Sequence, residues 1–336
     1  MKRIVLLMAL ASITLGRAQD LNDIFVSGVA DAERFANAYL APVSEASIFS
    51  ISNGWYNSAD AKPLGGFEIS IVGNLTGFKN KDDKKVFLLD PADYENLDFV
   101  NNPGQPRQVA TALGDIQGVR VFVEDQSGLF REEFELPTGL ASENLNFIPS
   151  GYLQGSVGLV KGLEVKARFL PKIKFDDDAK IGLFGAGIQY DFTKMLPADK
   201  VLPVAISAVI GYTNLSGEYD FTDSSTISGT DQRLDASFKT WNFSAVVSTK
   251  NIPVINFYGG LGYITGKSDI DLLGTYEANG PFFTQTVTDP FSVSKDASGV
   301  TANVGTKIKL GFFRLNAEYN ISEFSTFTFG VNFGFR

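Results

Sequence analysis

Seven charged residues fall at alternate positions within otherwise apolar runs. Glu164, Lys166 and Arg168 interleave with Leu163, Val165, Ala167 and Phe169; Lys307 and Lys309 with Ile308 and Leu310; Arg314 and Glu318 with Phe313, Leu315, Ala317 and Tyr319. Side chains two residues apart share one face of a β-strand, so each run presents a charged face and an apolar face. Charges gathered in this way can pair across an enclosed space, where a lone charge is costly and a hydrogen-bonded pair is tolerated. They can equally line an aqueous channel and set its ion preference. Other candidate chemistry is thinner. Asp176, Asp177 and Asp178 could bind a divalent cation through oxygen ligands, although a solvated hairpin loop is the commoner use of such a cluster. Phe282 and Phe283 could gather a hydrophobic ligand or simply pack their loop onto a rim. The mixed run Lys79 to Lys85 could touch lipopolysaccharide phosphates, but mixed charge is usually only solvated, and no site is assigned there.

The absences narrow the chemistry further. The chain has no histidine and no cysteine. That removes the commonest general base and metal ligand, every thiolate site, any disulfide framework and a lipidated cysteine. No enzymatic activity, metal or cofactor is expected. Carboxylate-only chemistry such as a glycosidase pair would need a spacing that nothing here singles out.

The elements that would position the seven charges are long alternating strands. In the last run Phe327, Phe329, Val331, Phe333 and Phe335 share one face, while Thr326, Thr328, Gly330, Asn332 and Gly334 share the other. The first such run, 66–78, sets Phe67, Ile69, Ile71 and Leu75 against Glu68, Ser70, Asn74 and Thr76. Further strands are expected at 149–160, 163–174, 180–192, 203–219, 233–249, 254–272, 299–310, 312–321 and 324–335. A soluble β-sandwich with its apolar face inward would alternate in the same way. Against it, these runs exceed the ~5–6 residues of soluble strands. In addition, Tyr152, Phe169, Tyr190, Tyr212, Tyr258 and Tyr319 recur near strand ends, where interfacial girdles would lie. The expected fold is all-β: an antiparallel transmembrane β-barrel of about ten strands, within a range of roughly 8 to 14, with an N-terminal helical plug segment. Ten strands sit near the side-chain-filled end of barrel sizes, which favours paired charges over a channel.

Three segments complete the organisation. Met1-Lys2-Arg3, the apolar run Ile4 to Leu15 and Gly16-Arg17-Ala18 read as a signal peptide over 1–18, its ~12 apolar residues falling short of the ~20 of a spanning helix. Removing Lys2, Arg3 and Arg17 leaves 26 basic against 38 acidic residues, a net charge of −12, which argues against a nucleic-acid partner. Within 19–63, the plug segment, Ala32, Phe35, Ala36, Tyr39, Leu40 and Val43 share one helical face from Ser27 to Val43, and Pro42 should end the helix. Phe35, Tyr39 and Leu40 would pack it into a core or against a lumen. The barrel occupies 64–336, with a long insert at 79–146 that is either an external loop or extra strands and holds strand-like runs at 119–124 and 129–136. Short links at 161–162 and 311 alternate with long ones at 220–232 and 273–298, as periplasmic turns alternate with external loops. Ten strands then place both termini on the periplasmic side and the insert outside.

Particular residues also resemble a known group. Ala32-Glu33-Arg34-Phe35-Ala36-Asn37-Ala38-Tyr39-Leu40-Ala41-Pro42, Asn53-Gly54-Trp55-Tyr56-Asn57-Ser58-Ala59 and Leu64-Gly65-Gly66-Phe67 look like the opening of an uncharacterised family of Gram-negative outer-membrane barrel proteins. The likeness continues through Ile148-Pro149-Ser150-Gly151-Tyr152 and Gly162-Leu163-Glu164-Val165-Lys166-Ala167-Arg168-Phe169-Leu170-Pro171. It implies the barrel fold and no established activity. More remotely, the long stretch before the first strand and the aromatic-rich strands are similar to outer-membrane long-chain fatty acid transporters, whose N-terminal segment forms a hatch inside a larger barrel. No ligand residue carries over from them.

The resulting expectation is an outer-membrane β-barrel that binds or transports a small hydrophobic molecule, with a closed structural or surface-interaction barrel as the alternative. Its partners would be outer-membrane lipid and lipopolysaccharide and the barrel assembly machinery. Arg336 follows Phe335, displacing by one residue the terminal aromatic that this machinery reads.

Overall fold

The computed structural model describes residues 28–124, 131–174, 178–197, 199, 201–221, 228–250, 252–279 and 284–335. The expected signal peptide at 1–18, the carboxylates Asp176 and Asp177, and Phe282 and Phe283 lie outside the described residues. Sixteen strands follow one long helix, α1 (Val29–Ser52). They are β1 (Phe67–Gly77), β2 (Val86–Leu89), β3 (Leu97–Phe99), β4 (Arg107–Ala110), β5 (Arg120–Glu124), β6 (Arg131–Glu135), β7 (Phe147–Val160), β8 (Leu163–Lys174), β9 (Ala179–Asp191), β10 (Val204–Asp220), β11 (Ser228–Thr249), β12 (Ile255–Asn279), β13 (Thr284–Thr288), β14 (Phe291–Leu310), β15 (Phe313–Ile321) and β16 (Thr326–Phe335).

Ten of the strands close into one antiparallel ring in the order β1, β7, β8, β9, β10, β11, β12, β14, β15, β16, with β16 pairing back onto β1. Closure leaves no unpaired sheet edge. Among the described residues the insert adds nothing to the ring: β2 pairs with β4, and β3, β5 and β6 form a separate small sheet.

Polarity follows the pleat. On β1 and β16 the outward residues Phe67, Ile69, Ile71, Phe327, Phe329, Phe333 and Phe335 are exposed, while Glu68, Ser70, Asn74, Thr76, Thr326, Thr328 and Asn332 are buried. This inside-out arrangement changes sign partway up the barrel. On β11, Trp241, Phe243 and Val247 face out and Asn242, Ser244 and Ser248 face in; beyond Thr240, Asp235, Ser237 and Lys239 face out and Leu234, Ala236 and Phe238 face in. β12 and β14 invert at the paired level, where Trp241 stands opposite Thr265 and Thr265 opposite Ser298. The expected loops at 220–232 and 273–298 are largely these strand extensions and the β12–β13 hairpin. An apolar-out search ends where the pattern inverts, although the strand continues.

The inverted level forms an ordinary water-soluble core. Leu215, Leu234, Phe238, Ile264, Ile270, Leu272 and Val293 pack with α1 and with Phe99, Leu113, Val121 and Phe134 of the insert. That core corrects the expected end of the helix at Pro42, which lies inside α1. An interior proline costs about 3 kcal/mol. Burying Ile48, Phe49 and Ile51, each 0–1% exposed, outweighs this at ~1.5–3 kcal/mol per large side chain.

The insert end of the barrel is also where the described chain begins. Buried Asp31 accepts the backbone N–H groups of Glu95 and Asn96 at 2.9–3.1 Å, so the start of α1 is fastened to the insert. From there the chain descends the lumen and joins the opposite end, where Gly65 N–H donates to Gly158 O and Gly158 N–H to Gly66 O, both at 2.9 Å. The described chain therefore starts at Gly28 by the insert end and reaches β1 from the opposite end, because an even strand count governs the ring and not the segment threaded through it.

Candidate functional site

The lumen is occupied by α1 and by residues 53–66, an irregular strap that partners many of the polar wall residues. At the end of α1, the Arg168 guanidinium donates to Ile51 O at 3.0 Å, Asn53 O at 2.7 Å, Gln154 Oε1 at 2.8 Å and Thr213 Oγ1 at 3.3 Å. It lies 3.6 Å from the Trp55 ring centroid and 4.3 Å from that of Tyr152. A cation at the carbonyl end of a helix is favoured by the macrodipole, and two aromatic faces replace much of its lost hydration. Below it the Trp55 indole fills space left by Gly187 and Gly211, where a side chain would overlap the ring, and touches Gly185. Gly211→Val is accordingly expected to expel Trp55, costing about 1–3 kcal/mol by overpacking. The check is a lower conversion temperature of the compact band in heat-modifiable gels and new protease cuts in 53–66. Gly73→Ala, where no atom lies near, should change neither.

Two carboxylates organise the lower lumen. Glu68 receives Lys307 Nζ at 2.9 Å, Arg314 Nη1 at 2.6 Å and Asn57 Nδ2 at 2.8 Å. Glu164 receives Lys166 Nζ at 2.6 Å, Lys62 Nζ at 3.0 Å and the Lys62 backbone N–H at 3.0 Å. Lys62, from the strap, also lies 3.8 Å from Glu68 and so links the two groups. Buried Asp191 accepts Ala61 N–H at 3.2 Å. Ser207 donates to Ala59 O, and Ser248 Oγ accepts Ala59 N–H at 3.0 Å.

Of the seven charges expected to face the lumen, Glu164, Lys166, Arg168, Lys307 and Glu318 are buried and Arg314 and Lys309 are half-buried. Four of them, Glu164, Lys166, Lys307 and Arg314, meet in one network through Lys62 and Glu68, whereas Arg168 lies at the end of α1 and Glu318 stands apart from both. That residue stands higher on β15, where Asn320 Nδ2 donates to it at 2.8 Å and its second carboxylate oxygen has no partner among the described residues. The residues expected to make the helix a plug, Phe35, Tyr39 and Leu40, are buried, but against the insert. Phe35 packs on Phe87 at 5.7 Å, Tyr39 OH donates to Thr138 O at 2.5 Å and Tyr39 O accepts Ala112 N–H at 2.9 Å. The residues that fill the lumen are Ile48, beside Gly266, Phe49, beside Gly299, and Trp55. Sequence reading left Glu68, Lys62 and Trp55 out of the candidate site. Glu68 was legible from its alternation with Phe67 and Ile69; Trp55, in a turn-rich stretch, carried no signal without the glycine cradle.

The insert caps one end of the barrel and is tied to its rim by Lys81 to Glu323 at 2.9 Å and to α1 by Lys84 to Glu45 at 2.8 Å. Burial lowers the Lys84 pKa, but the hydrogen bond and charge of Glu45 outweigh it and hold the group above the ordinary lysine value. Glu323 is held below its ordinary value of 4.5, chiefly by the hydrogen bond from Lys81. A depressed carboxylate contributes stability that is present above that value and lost as pH falls through the folded one; at 41% exposure it is worth under ~1 kcal/mol. Below about pH 4, protease cutting in 79–146 is expected to rise before the barrel unfolds.

No curated protein matches the sequence. Among solved structures, the attachment invasion locus protein Ail of Yersinia pestis is 12% identical over 81% of this chain and 99% of its own, with a TM-score of 0.27. The translocator domain of autotransporter NalP from Neisseria meningitidis is 11% identical over 83% of this chain and 90% of its own, with a TM-score of 0.30. Such scores carry no argument, and the barrel assignment rests on the strand pairing. The remote likeness to fatty acid transporters gains no support from these matches. The family model that matches residues 1–335 spans lumen segment, insert and ring alike, and the chain belongs to this family of unknown function, DUF6588.

Proposed function

We propose that this protein is an outer-membrane barrel held shut by its own N-terminal segment and that it works through the cap on its external end. The observation that carries the reading is the series of contacts that fastens the segment first to the insert, from Asp31 to Tyr39, and then to the barrel wall, from Ile48 to Gly65, which leaves the lumen filled. The outward apolar belt supplies the lipid face, its strand lengths of ~9–11 residues matching a tilted bilayer crossing. Links at 161–162 and 311–312 are short, whereas the insert and the extensions of β11, β12 and β14 rise from the other end, and this asymmetry favours a cap that faces outward. Purified protein should be silent in planar bilayers; steady channels from the intact chain would overturn the reading.

The start of α1 at the cap gives a second check. An epitope inserted ahead of Gly28 should be labelled on intact cells together with one at Asn101-Asn102, whereas one at Lys161-Gly162 should need a permeabilised membrane. Labelling of the Gly28 tag only after permeabilisation would reverse the threading.

Transport is the second reading, favoured by one observation: the strap is held by non-covalent pairs that a competing ligand could release. Its lower half runs against Ser207, Ser248, Asn332, Glu68 and Glu164, which suits a polar solute better than a hydrophobic one. Retention of lipid-like ligands in native mass spectrometry, with leak raised by deleting residues 22–45, would favour the hydrophobic cargo instead.

A further inference from the structure

Immediately beyond the apolar belt the outward face changes in ordered steps across β9, β10, β11 and β12. One level is Ala186, Tyr212, Trp241 and Thr265, each paired with the next across the strands. Phe184, Tyr212, Trp241 and Phe243 form a run of rings there, with successive centroids 6.3, 5.0 and 6.2 Å apart. The next outward level is Phe184, Asn214, Lys239 and Lys267, the next Gly182, Ser216, Ser237 and Asp269, and the last Lys180, Glu218, Asp235 and Asp271. Because the third level is built of small side chains between larger ones, it forms the floor of a groove of about 310 Å³ on the outer face. Lys172 walls one end, and Glu218, Asp235 and Asp271 wall the far side.

From this gradation we infer that the groove is a binding site for the phosphorylated sugar headgroup of an outer-leaflet glycolipid, an assignment that rests on the membrane reading above. The aromatic level marks the hydrocarbon boundary, since Trp and Tyr settle at that depth. Acyl chains run down the Tyr212, Trp241 and Phe243 wall. A phosphate attached to the sugar meets the lysine level next to it. Lys180 is engaged by Glu218 at 2.6 Å and Asp220 at 3.0 Å, and Lys267 by Asp269 at 2.7 Å. Lys172, on the groove's lining, and Lys239, on the level beside it and near Asp269, form no ion pair in contact among the described residues and supply the phosphate contacts. Ser216 and Ser237 on the floor and the carboxylates above them match sugar hydroxyls, which donate to carboxylates and exchange hydrogen bonds with serine. A phosphatidylglycerol headgroup fills the lysine level with one phosphate and offers only the two hydroxyls of its flexible glycerol to the levels above, so the site favours the lipid with two phosphates and a rigid sugar.

The test is native mass spectrometry of the full folded chain in detergent with bisphosphorylated lipid A, dephosphorylated lipid A and phosphatidylglycerol. Retention of one bisphosphorylated lipid A in preference to both others is expected. The Lys172→Ala/Lys239→Ala double variant should weaken it about tenfold or more, as loss of two charge-assisted contacts implies. Ser216→Phe/Ser237→Phe should abolish it by filling the groove, on exposed strand positions that tolerate an aromatic. Outer-membrane fractionation and a heat-modifiable band, with lipid A held no better than phosphatidylglycerol or equally by all variants, would overturn the site and leave the barrel reading standing. Loss of that fractionation and band in the wild type would overturn both.

Discussion

Deleting residues 28–62 is expected to turn a silent barrel into an anion-selective pore. The segment supplies α1, the Trp55 plug and Lys62, and every wall contact it makes is non-covalent, so its removal opens the lumen without breaking the ring of ten strands. What then lines the passage is Lys166, Arg168, Lys307, Lys309 and Arg314 against Glu68, Glu164 and Glu318, with Lys250 and Asp191 adding one charge of each sign. A narrow low-dielectric passage with an excess of fixed positive charge enriches anions. In planar bilayers under a salt gradient, the deletion variant should show channel steps absent from the wild type and a reversal potential displaced toward that of chloride. Replacing both Lys307 and Arg314 by glutamate in the same variant should shift the potential the other way. A variant that keeps the heat-modifiable band yet stays silent would show that the wall collapses inward, and cation preference would contradict the charge arrangement.

The second large effect belongs to Arg168. Its guanidinium is 1% exposed and serves four acceptors and two rings, so Arg168→Ala strands the Ile51 and Asn53 carbonyls in a dry interior and removes the platform under Trp55. An unsatisfied buried polar group costs about 1–3 kcal/mol, and two of them with a cavity put the loss at roughly 3–5 kcal/mol. Arg168→Lys keeps the charge but can neither fork between the two carbonyls nor stack flat on the indole, and should recover less than half of that. The readouts are the heating temperature at which the compact gel band converts, and protease cutting in 53–66. If strap cutting rises while the conversion temperature holds, Arg168 fastens the plug alone; if both hold, the cation contributes nothing measurable to either.

Several elements were legible because their causes are local. The two-residue period placed Glu164, Lys166, Arg168 and Lys307 on the inner face, and the apolar-out alternation of β1, β7, β8, β15 and β16 gave their bounds to within a few residues. The helical face from Ala32 to Val43 announced α1. The second half of α1 was not legible, because Pro42 is a genuine helix breaker and only the core around Phe49 overrides it. The upper parts of β11, β12 and β14 were read as loops because their alternation has the opposite sense. They are strands for the same backbone reasons, but whether an outward residue meets lipid or water depends on height along the barrel axis, which no local window contains.

The sequence by itself therefore determined a ring of alternating strands, its polarity at the belt, the presence of a helix ahead of it and the exclusion of histidine- and cysteine-based chemistry. These follow from residue type and spacing acting over a few positions. Only the tertiary structure decided that the helix and strap run the full length of the lumen, that the insert caps one end instead of widening the ring, and that Glu68, Lys62 and Trp55 complete the candidate site. Those facts rest on contacts such as Asn57 with Asn332 and Tyr56 with Asn303, between residues far apart in the chain. The buried charges have to find partners in three dimensions, and closure of the ring sets which partners are within reach.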